Sequence, residues 1–389
     1  MKLQRTAIVS TFYLFFIVLN WYTDWLVLRI SDLHLLPNFN DLRLVLASSD
    51  CASGFGYLTF SENISKTCTY NYGFSLIRFF HVLGITSAQA DVIGFLFLAL
   101  MVSALVLIHL KLRARSGFEN FIIFSILMSP VSAFLIERAN FDILIFVLVI
   151  AGSLLLSGSK TKLGLLAIFI ASLIKFYTLP LLFLIFLFKS SLFNRLFGLF
   201  LFLLGSSIAV HDIRLIQAGL SFPRNCSASF GNPVLFVCFR EAGIDIPNQI
   251  QNLLGIFLFI VVSLILFYLK FREAYSFKIY RWNIFVKQKF DVLYISTSVT
   301  FLICFFSSVN VDYRLIFLAY PALREVLCCK EKKHRYFLFS MLILPFWFGD
   351  NAFFLQPLGD LAIVFWASLL TIKLMISLGL LRSRGMVKI

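Results

Sequence analysis

Four short polar stretches interrupt an otherwise apolar chain, and each holds side chains able to move a proton or bind an anion. Glu137-Arg138-Ala139-Asn140-Phe141-Asp142 sets two carboxylates and an amide beside a guanidinium. Lys175 and Tyr177 break the apolar run 163–188, and Asn310-Val311-Asp312-Tyr313-Arg314 repeats the pairing of carboxylate with cation. Asp41 with Arg43, and then Asp50, add a fourth group. A carboxylate can accept a hydroxyl proton, and cations can take up charge on a phosphate. These residue types therefore suit group transfer at an anionic centre. The plain alternative is that short connections between apolar helices need something polar. A local pair such as Glu137 with Arg138, or Asp312 with Arg314, would then be worth little. Lys175 stands apart because a cation inside apolar sequence needs an anionic partner or a route to the interface. His34, His81 and His211 are isolated, and no metal-ligand spacing, glycine-rich phosphate loop or Ser/His/Asp pattern occurs, so spacing names no metal or cofactor.

The elements that must hold these residues are apolar helices. Hydrophobic residues make up 60% of the 389 positions and charged residues 14%, well away from the composition of a soluble domain. The fold class expected is all-α, a polytopic membrane protein of about twelve spans. They lie near 7–28, 92–110, 121–135, 143–156, 163–174, 179–188, 196–210, 253–269, 292–309, 315–327, 336–348 and 361–380. The first follows Lys2 and Arg5 as a signal peptide would, but Trp21, Tyr22, Asp24 and Trp25 offer no small-residue cleavage site, so it reads as an uncleaved anchor. With the N-terminus inside, cytoplasmic segments hold 23 of the 34 Lys and Arg but 5 of the 19 acidic residues, and outer segments hold 10 and 14. The positive-inside rule is met, and the net charge of +15 needs no nucleic-acid partner. Both termini are then cytoplasmic. Merging 163–188 into one span would reverse every later loop and put the six cations of 270–289 outside, so two short spans meeting at Lys175 are expected.

One membrane domain, 1–389, is expected, with two long outer segments at 32–90 and 211–251. Their apolar runs broken by charge fit helices lying on the membrane surface as lids. Cys51 and Cys68 lie in the first and Cys226 and Cys238 in the second. This even count suggests a disulfide within each segment, in an oxidising compartment; four thiols packed as small hydrophobes are the other reading.

Several stretches together resemble a known family. Asp41-Leu42-Arg43, Asp50-Cys51, Gly54, Cys68 and Asn71-Tyr72 look like the first outer loop of glycosyltransferase family 87, membrane enzymes of the GT-C superfamily that use polyprenyl-phosphate sugars. Residues 137–142 resemble that family's E-R-G-N-x-D loop, with Ala139 in place of glycine. Ile174-Lys175-Phe176-Tyr177-Thr178-Leu179-Pro180 is similar to its L-K-x-Y-P segment, with Thr178 in place of the usual proline. Val311-Asp312-Tyr313-Arg314-Leu315-Ile316-Phe317-Leu318 resembles its D-Y-R-L-I-F-L segment and is the nearest match.

The resemblance implies an inverting transfer from a polyprenyl-phosphate-linked sugar to a lipid or glycan acceptor on the outer face of the membrane, and few glycosylation signals with no retention signal favour a bacterial inner membrane over an endoplasmic reticulum. Asp41 is then the expected base, with Asp50 in reserve. Arg138, Lys175 and Arg314 would face the phosphate, and Tyr177 and Tyr313 the sugar. Asn140 and Asp312 complete the substrate-binding set, and Glu137 and Asp142 would position the cations. Asp41, Arg138, Lys175 and Arg314 are expected to converge. Two rivals use the same residues. A twelve-span transporter would place its site at the midplane between repeated halves, whereas no half-to-half similarity is evident here. A lipid-linked polysaccharide polymerase or ligase would use outer cations in much the same way.

Overall fold

The computed structural model describes residues 2–23, 38–53, 74–187, 190–217, 229–230, 243, 246–275, 291–307, 310–347 and 356–377. Within them the chain is helical. In order come α1 (Lys2–Tyr22), α2 (Asn40–Ser53), α3 (Phe74–Val82), α4 (Ala90–Leu112), α5 (Gly117–Leu127), α6 (Pro130–Arg138), α7 (Asp142–Ser157) and α8 (Thr161–Ile174). A 3₁₀ helix, Phe176–Phe186, leads to α9 (Leu192–Gln217) and α10 (Asn248–Tyr275). They are followed by α11 (Val292–Ser307), α12 (Ile316–Cys328), α13 (Lys332–Trp347) and α14 (Gln356–Ser377).

The described part of each of the twelve apolar segments overlaps a helical element, the third being the pair α5 and α6, bent by 42° where Pro130 opens the second helix. Four stretches are long and apolar enough to cross a membrane: Ser87–Leu112, Leu192–Asp212, Ile250–Leu269 and Pro357–Ile376; the bent pair makes five. Five more apolar helices have 10–17 residues and reach at most about 26 Å at the α-helical rise. That is somewhat less than a bilayer's hydrocarbon depth of about 30 Å.

The chain gathers into two compact units. The first comprises Met1–Phe15, Leu35–Val106 and Phe134–Pro223, and the second Phe16–His34, Leu107–Ala133 and Arg224–Ile389. In the first, α7 and α8 form an antiparallel hairpin whose helices touch backbone to backbone. A Cβ at Gly164 would lie 2.8 Å from the Gly152 carbonyl oxygen, so both positions exclude side chains, the small-residue contact typical of membrane helices. The apolar run 163–188 does not continue as one helix. Lys175 is extended (φ −146°, ψ 126°) and Pro180 lies in the following 3₁₀ turns, where a proline obstructs α-helical hydrogen bonding. Gly198 of α9 faces Ile185 and Leu165, and Gly205 faces Leu179 and Phe169. The 3₁₀ helix therefore runs antiparallel to both α8 and α9, and the chain reverses at Lys175 as the two-segment reading expects.

The described part of segment 32–90 consists of α2, α3, a short 3₁₀ turn and the first residue of α4. Leu42, Val45, Leu46 and Ser49 are buried while Leu44 is exposed, one face of a helix at spacings of three and four. In α3 the same holds for Leu76, Ile77 and Phe80.

The second unit packs α10 and α13 against α14, with α12 between α11 and α13. Two of its tryptophans have the indole N–H satisfied, and Trp366 is fully buried. Trp347 donates to the Ser125 carbonyl at 2.7 Å and Trp366 to that of Met341 at 3.1 Å. The sequence indicates no strand, yet β1 (Ser229–Phe230) pairs antiparallel with β2 (Asn310–Val311), Ser229 opposite Val311. Ser229–Phe230 of segment 211–251 is thereby laid against the backbone leading into Asp312.

Candidate functional site

The first unit brings six of the expected residues into one hydrogen-bonded network. It begins at the end of α6. After Arg138 the chain turns through Ala139, whose φ of 43° lies in the left-handed region, where a side chain is strained and glycine is not. Ala139 is fully buried, and its N–H bonds the Ile136 carbonyl at 3.0 Å. Ala139 therefore holds a conformation that glycine adopts without strain. Phe141 then anchors the turn, its ring 5.6 Å from that of Phe80 and 5.2 Å from that of Phe97.

This turn ties its three polar side chains to shared partners, Asp41 on one side and Lys175 on the other. Arg138 donates from Nε to Oδ1 of Asp41 at 2.8 Å, and from Nη2 to the same oxygen. Asn140 donates from Nδ2 to Asp41 Oδ2 at 2.6 Å, and its Oδ1 accepts from the Asp142 backbone N–H at 2.9 Å and from Lys175 Nζ at 3.3 Å. Those three contacts fix which end of the amide faces which partner. Lys175 bonds Asp142 Oδ2 at 2.8 Å, and the Tyr177 hydroxyl donates to Asp142 Oδ1. The side chains are 15% (Asp41), 11% (Arg138), 10% (Lys175) and 0% (Asp142) exposed. These are not screened surface pairs, and removing one member leaves its partner poorly solvated. Arg138 Nη1 is buried and has no hydrogen-bond partner among the described residues.

Asp41 is held in place by strain and packing before it. Phe39 has φ 61°, donates its N–H to the Glu137 carbonyl at 2.7 Å and presses its ring on Gly94, where a Cβ would stand 2.3 Å from the ring. An uncommon conformation for a bulky residue next to a candidate base suggests positioning. Asp41 falls in the first turn of α2, where the helix dipole favours a carboxylate.

Several expectations change in detail. Asp50 does not join Asp41. It accepts from Ser87 N–H at 3.0 Å and Ser87 Oγ at 2.6 Å, and nine residues of helix separate it from Asp41 by about 14 Å. Arg43 pairs with Asp91 instead of Asp41. The guanidinium of Arg138 goes to Asp41 and not to its neighbour Glu137, which is fully buried. Arg314 lies in the second unit, in the 3₁₀ turn Asp312–Leu315 that β2 introduces, and Asp312 and Tyr313 open the same turn. Cys51 is disulfide-bonded. Cys68, Cys226 and Cys238 lie outside the described residues. Cys304, Cys328 and Cys329 form no disulfide, and burial pushes the Cys329 thiol up, away from thiolate reactivity.

Sequence reasoning missed a second buried cluster. In the second unit Lys373 of α14 pairs with Glu325 of α12, their side chains 3% and 1% exposed, and Tyr294 of α11 donates to Glu325 at 2.7 Å. Beside it Arg324 pairs with Asp291 at 3.0 Å, and Tyr320 donates to the same carboxylate at 3.0 Å. A lysine inside the last apolar segment was the available signal. Its partner 48 residues away was not visible.

No family model, curated protein or solved structure matches the chain. The residues themselves therefore carry the functional argument. Ala139→Gly gives a direct test of the turn. Relieving the left-handed alanine is expected to raise stability, offset partly by glycine's greater unfolded-state freedom, by on the order of 1 kcal/mol net. A higher midpoint of thermal unfolding in detergent is the expected result.

Proposed function

We propose that the protein is a membrane glycosyltransferase of GT-C type. It moves a sugar from a polyprenyl-phosphate donor to a lipid or glycan acceptor on the outer face of a bacterial inner membrane, with inversion. The supporting observation is the single network that joins Asp41, Arg138, Asn140, Asp142, Lys175 and Tyr177 from three separate stretches of chain. In this reading Asp41 takes the proton of the acceptor hydroxyl as its oxygen attacks the anomeric carbon. Arg138 and Lys175 receive the departing phosphate, Asp142 holds Lys175, and Tyr177 is turned toward sugar hydroxyls when donor enters. Twelve spans with both termini cytoplasmic, the topology that puts Asp41 and Lys175 on one side, belong to the same proposal.

The network stands where α7 begins and α8 ends. That favours an enzyme working at the membrane surface over a transporter, whose site would be expected mid-helix at the midplane. The test is incubation of membranes containing the protein with radiolabelled polyprenyl-phosphate sugars and membrane acceptors. Label should move to a product with inverted anomeric configuration. Membranes that move no label from any such donor would overturn the reading.

A further inference from the structure

We propose that Arg138 is an exchangeable counterion, bound to Asp41 at rest and handed to the donor phosphate during transfer, so that the base is released only when a phosphate occupies the site. The proposal rests on the reading of the site as a phosphate-sugar transferase, and adds how the base is controlled.

The geometry of the carboxylate comes first. Oδ1 of Asp41 accepts both Nε and Nη2 of Arg138, while Oδ2 accepts, among the described residues, the Asn140 amide alone. A carboxylate offers about four acceptor positions, so one remains, on Oδ2. That is where an acceptor hydroxyl can bond. Taking its proton neutralises Asp41 and would leave Arg138, buried to 11% exposure, without the charge that balances it. Such an uncompensated cation is costly, so the proton transfer needs an anion to appear beside Arg138 at the same moment.

Donor chemistry supplies that anion. The sugar phosphodiester carries one negative charge. As the acceptor oxygen bonds the anomeric carbon, the bond from that carbon to the phosphate oxygen breaks and its electron pair stays on phosphate. The lipid leaves as a monoester with a second negative charge, while the acceptor proton ends on Asp41 Oδ2. One charge disappears from Asp41 as one appears on phosphate, and Arg138 is the group able to follow it. The buried Nη1 of Arg138 has no hydrogen-bond partner among the described residues, which gives phosphate a donor to grip while Nε and Nη2 still hold Asp41. A planar guanidinium can bridge two anions in this way and a lysine ammonium cannot do so with fixed geometry. Lys175 faces the phosphate as well but does not take this counterion part, since its ammonium bonds Asp142 and Asn140 and not Asp41.

The test reads Asp41 directly. Purified protein is treated with a water-soluble carbodiimide and a labelled amine, and modification of Asp41 is measured by peptide mass spectrometry. The treatment is made alone, with polyprenyl monophosphate lacking sugar, and with inorganic phosphate. Lipid binding is followed in parallel by thermal shift. Polyprenyl phosphate is expected to raise both the unfolding temperature and Asp41 modification severalfold. Arg138→Gln is expected to be modified at the raised level from the start and to respond no further. If Arg138→Gln does not fold, Arg138→Lys serves, with a smaller response to lipid. A thermal shift with unchanged modification overturns the exchange and leaves the transferase reading standing. Neither effect overturns both. Inorganic phosphate acting as well as the lipid upholds the exchange and assigns the trigger to the phosphate group alone.

Discussion

Asp41→Asn is expected to lower sugar transfer by about 10²–10⁴-fold, the usual contribution of a positioned general base. The fold should survive with some loss of stability, because the neutral side chain no longer balances the buried Arg138 and one of its two ends, the amide, must face a neighbouring donor. The asparagine side chain is nearly isosteric, and its carbonyl can still accept from Arg138 while its amide cannot take a proton. Asp50→Asn is the matched control, because among the described residues Asp50 bonds Ser87 at the start of the 3₁₀ turn before α4 and no member of the network, and an asparagine there can still accept both bonds. Transfer by Asp50→Asn should therefore stay near the native rate. Initial rates with labelled donor, normalised to protein surviving gel filtration, separate the two. Equal losses in both variants would mean that α2 matters as a whole, and would remove Asp41 from the role of base.

The contrast between these two aspartates shows what a sequence can reveal. Amphipathic spacing marks α2, since 42, 45, 46 and 49 fall on one helical face, and it places Asp41 in the first turn. What Asp41 touches depends on Arg138 and Asn140, 97 and 99 residues away, and no local pattern encodes such a contact. Adjacent opposite charges suggest a pair between Glu137 and Arg138. The left-handed turn at Ala139 defeats that pairing by sending the guanidinium to α2. The same alanine looks like a departure that would spoil the loop, yet close packing around Ala139 and Phe141 holds the strained backbone. The break at Lys175 was legible because charge distribution and Pro180 agree. The ladder of Ser229–Phe230 with Asn310–Val311 was not, since two residues are too few to display a two-residue period. Membrane crossing is legible in composition and in the four long helices.

Lys373→Met is expected to have the largest effect on stability. In the structure Lys373 satisfies Glu325 inside the packed helices α11, α12 and α14, and Tyr294 holds the second carboxylate oxygen. Removing the lysine leaves a buried carboxylate with one hydroxyl donor, a change that typically costs about 3–5 kcal/mol. Methionine fills much of the vacated space, so the loss is chiefly electrostatic rather than a cavity. Adding Glu325→Gln should restore most of the stability. A neutral amide can still accept from Tyr294, and no charge is then left unbalanced, so the two substitutions should be strongly non-additive. Denaturant or thermal unfolding of the four proteins, native, two singles and double, in one detergent gives the coupling directly. A single Lys373→Met variant as stable as the native protein would show that water or a neighbouring cation compensates Glu325. If instead the double variant is no better than the single, Lys373 stabilises the helices through its packed methylenes and not through its charge.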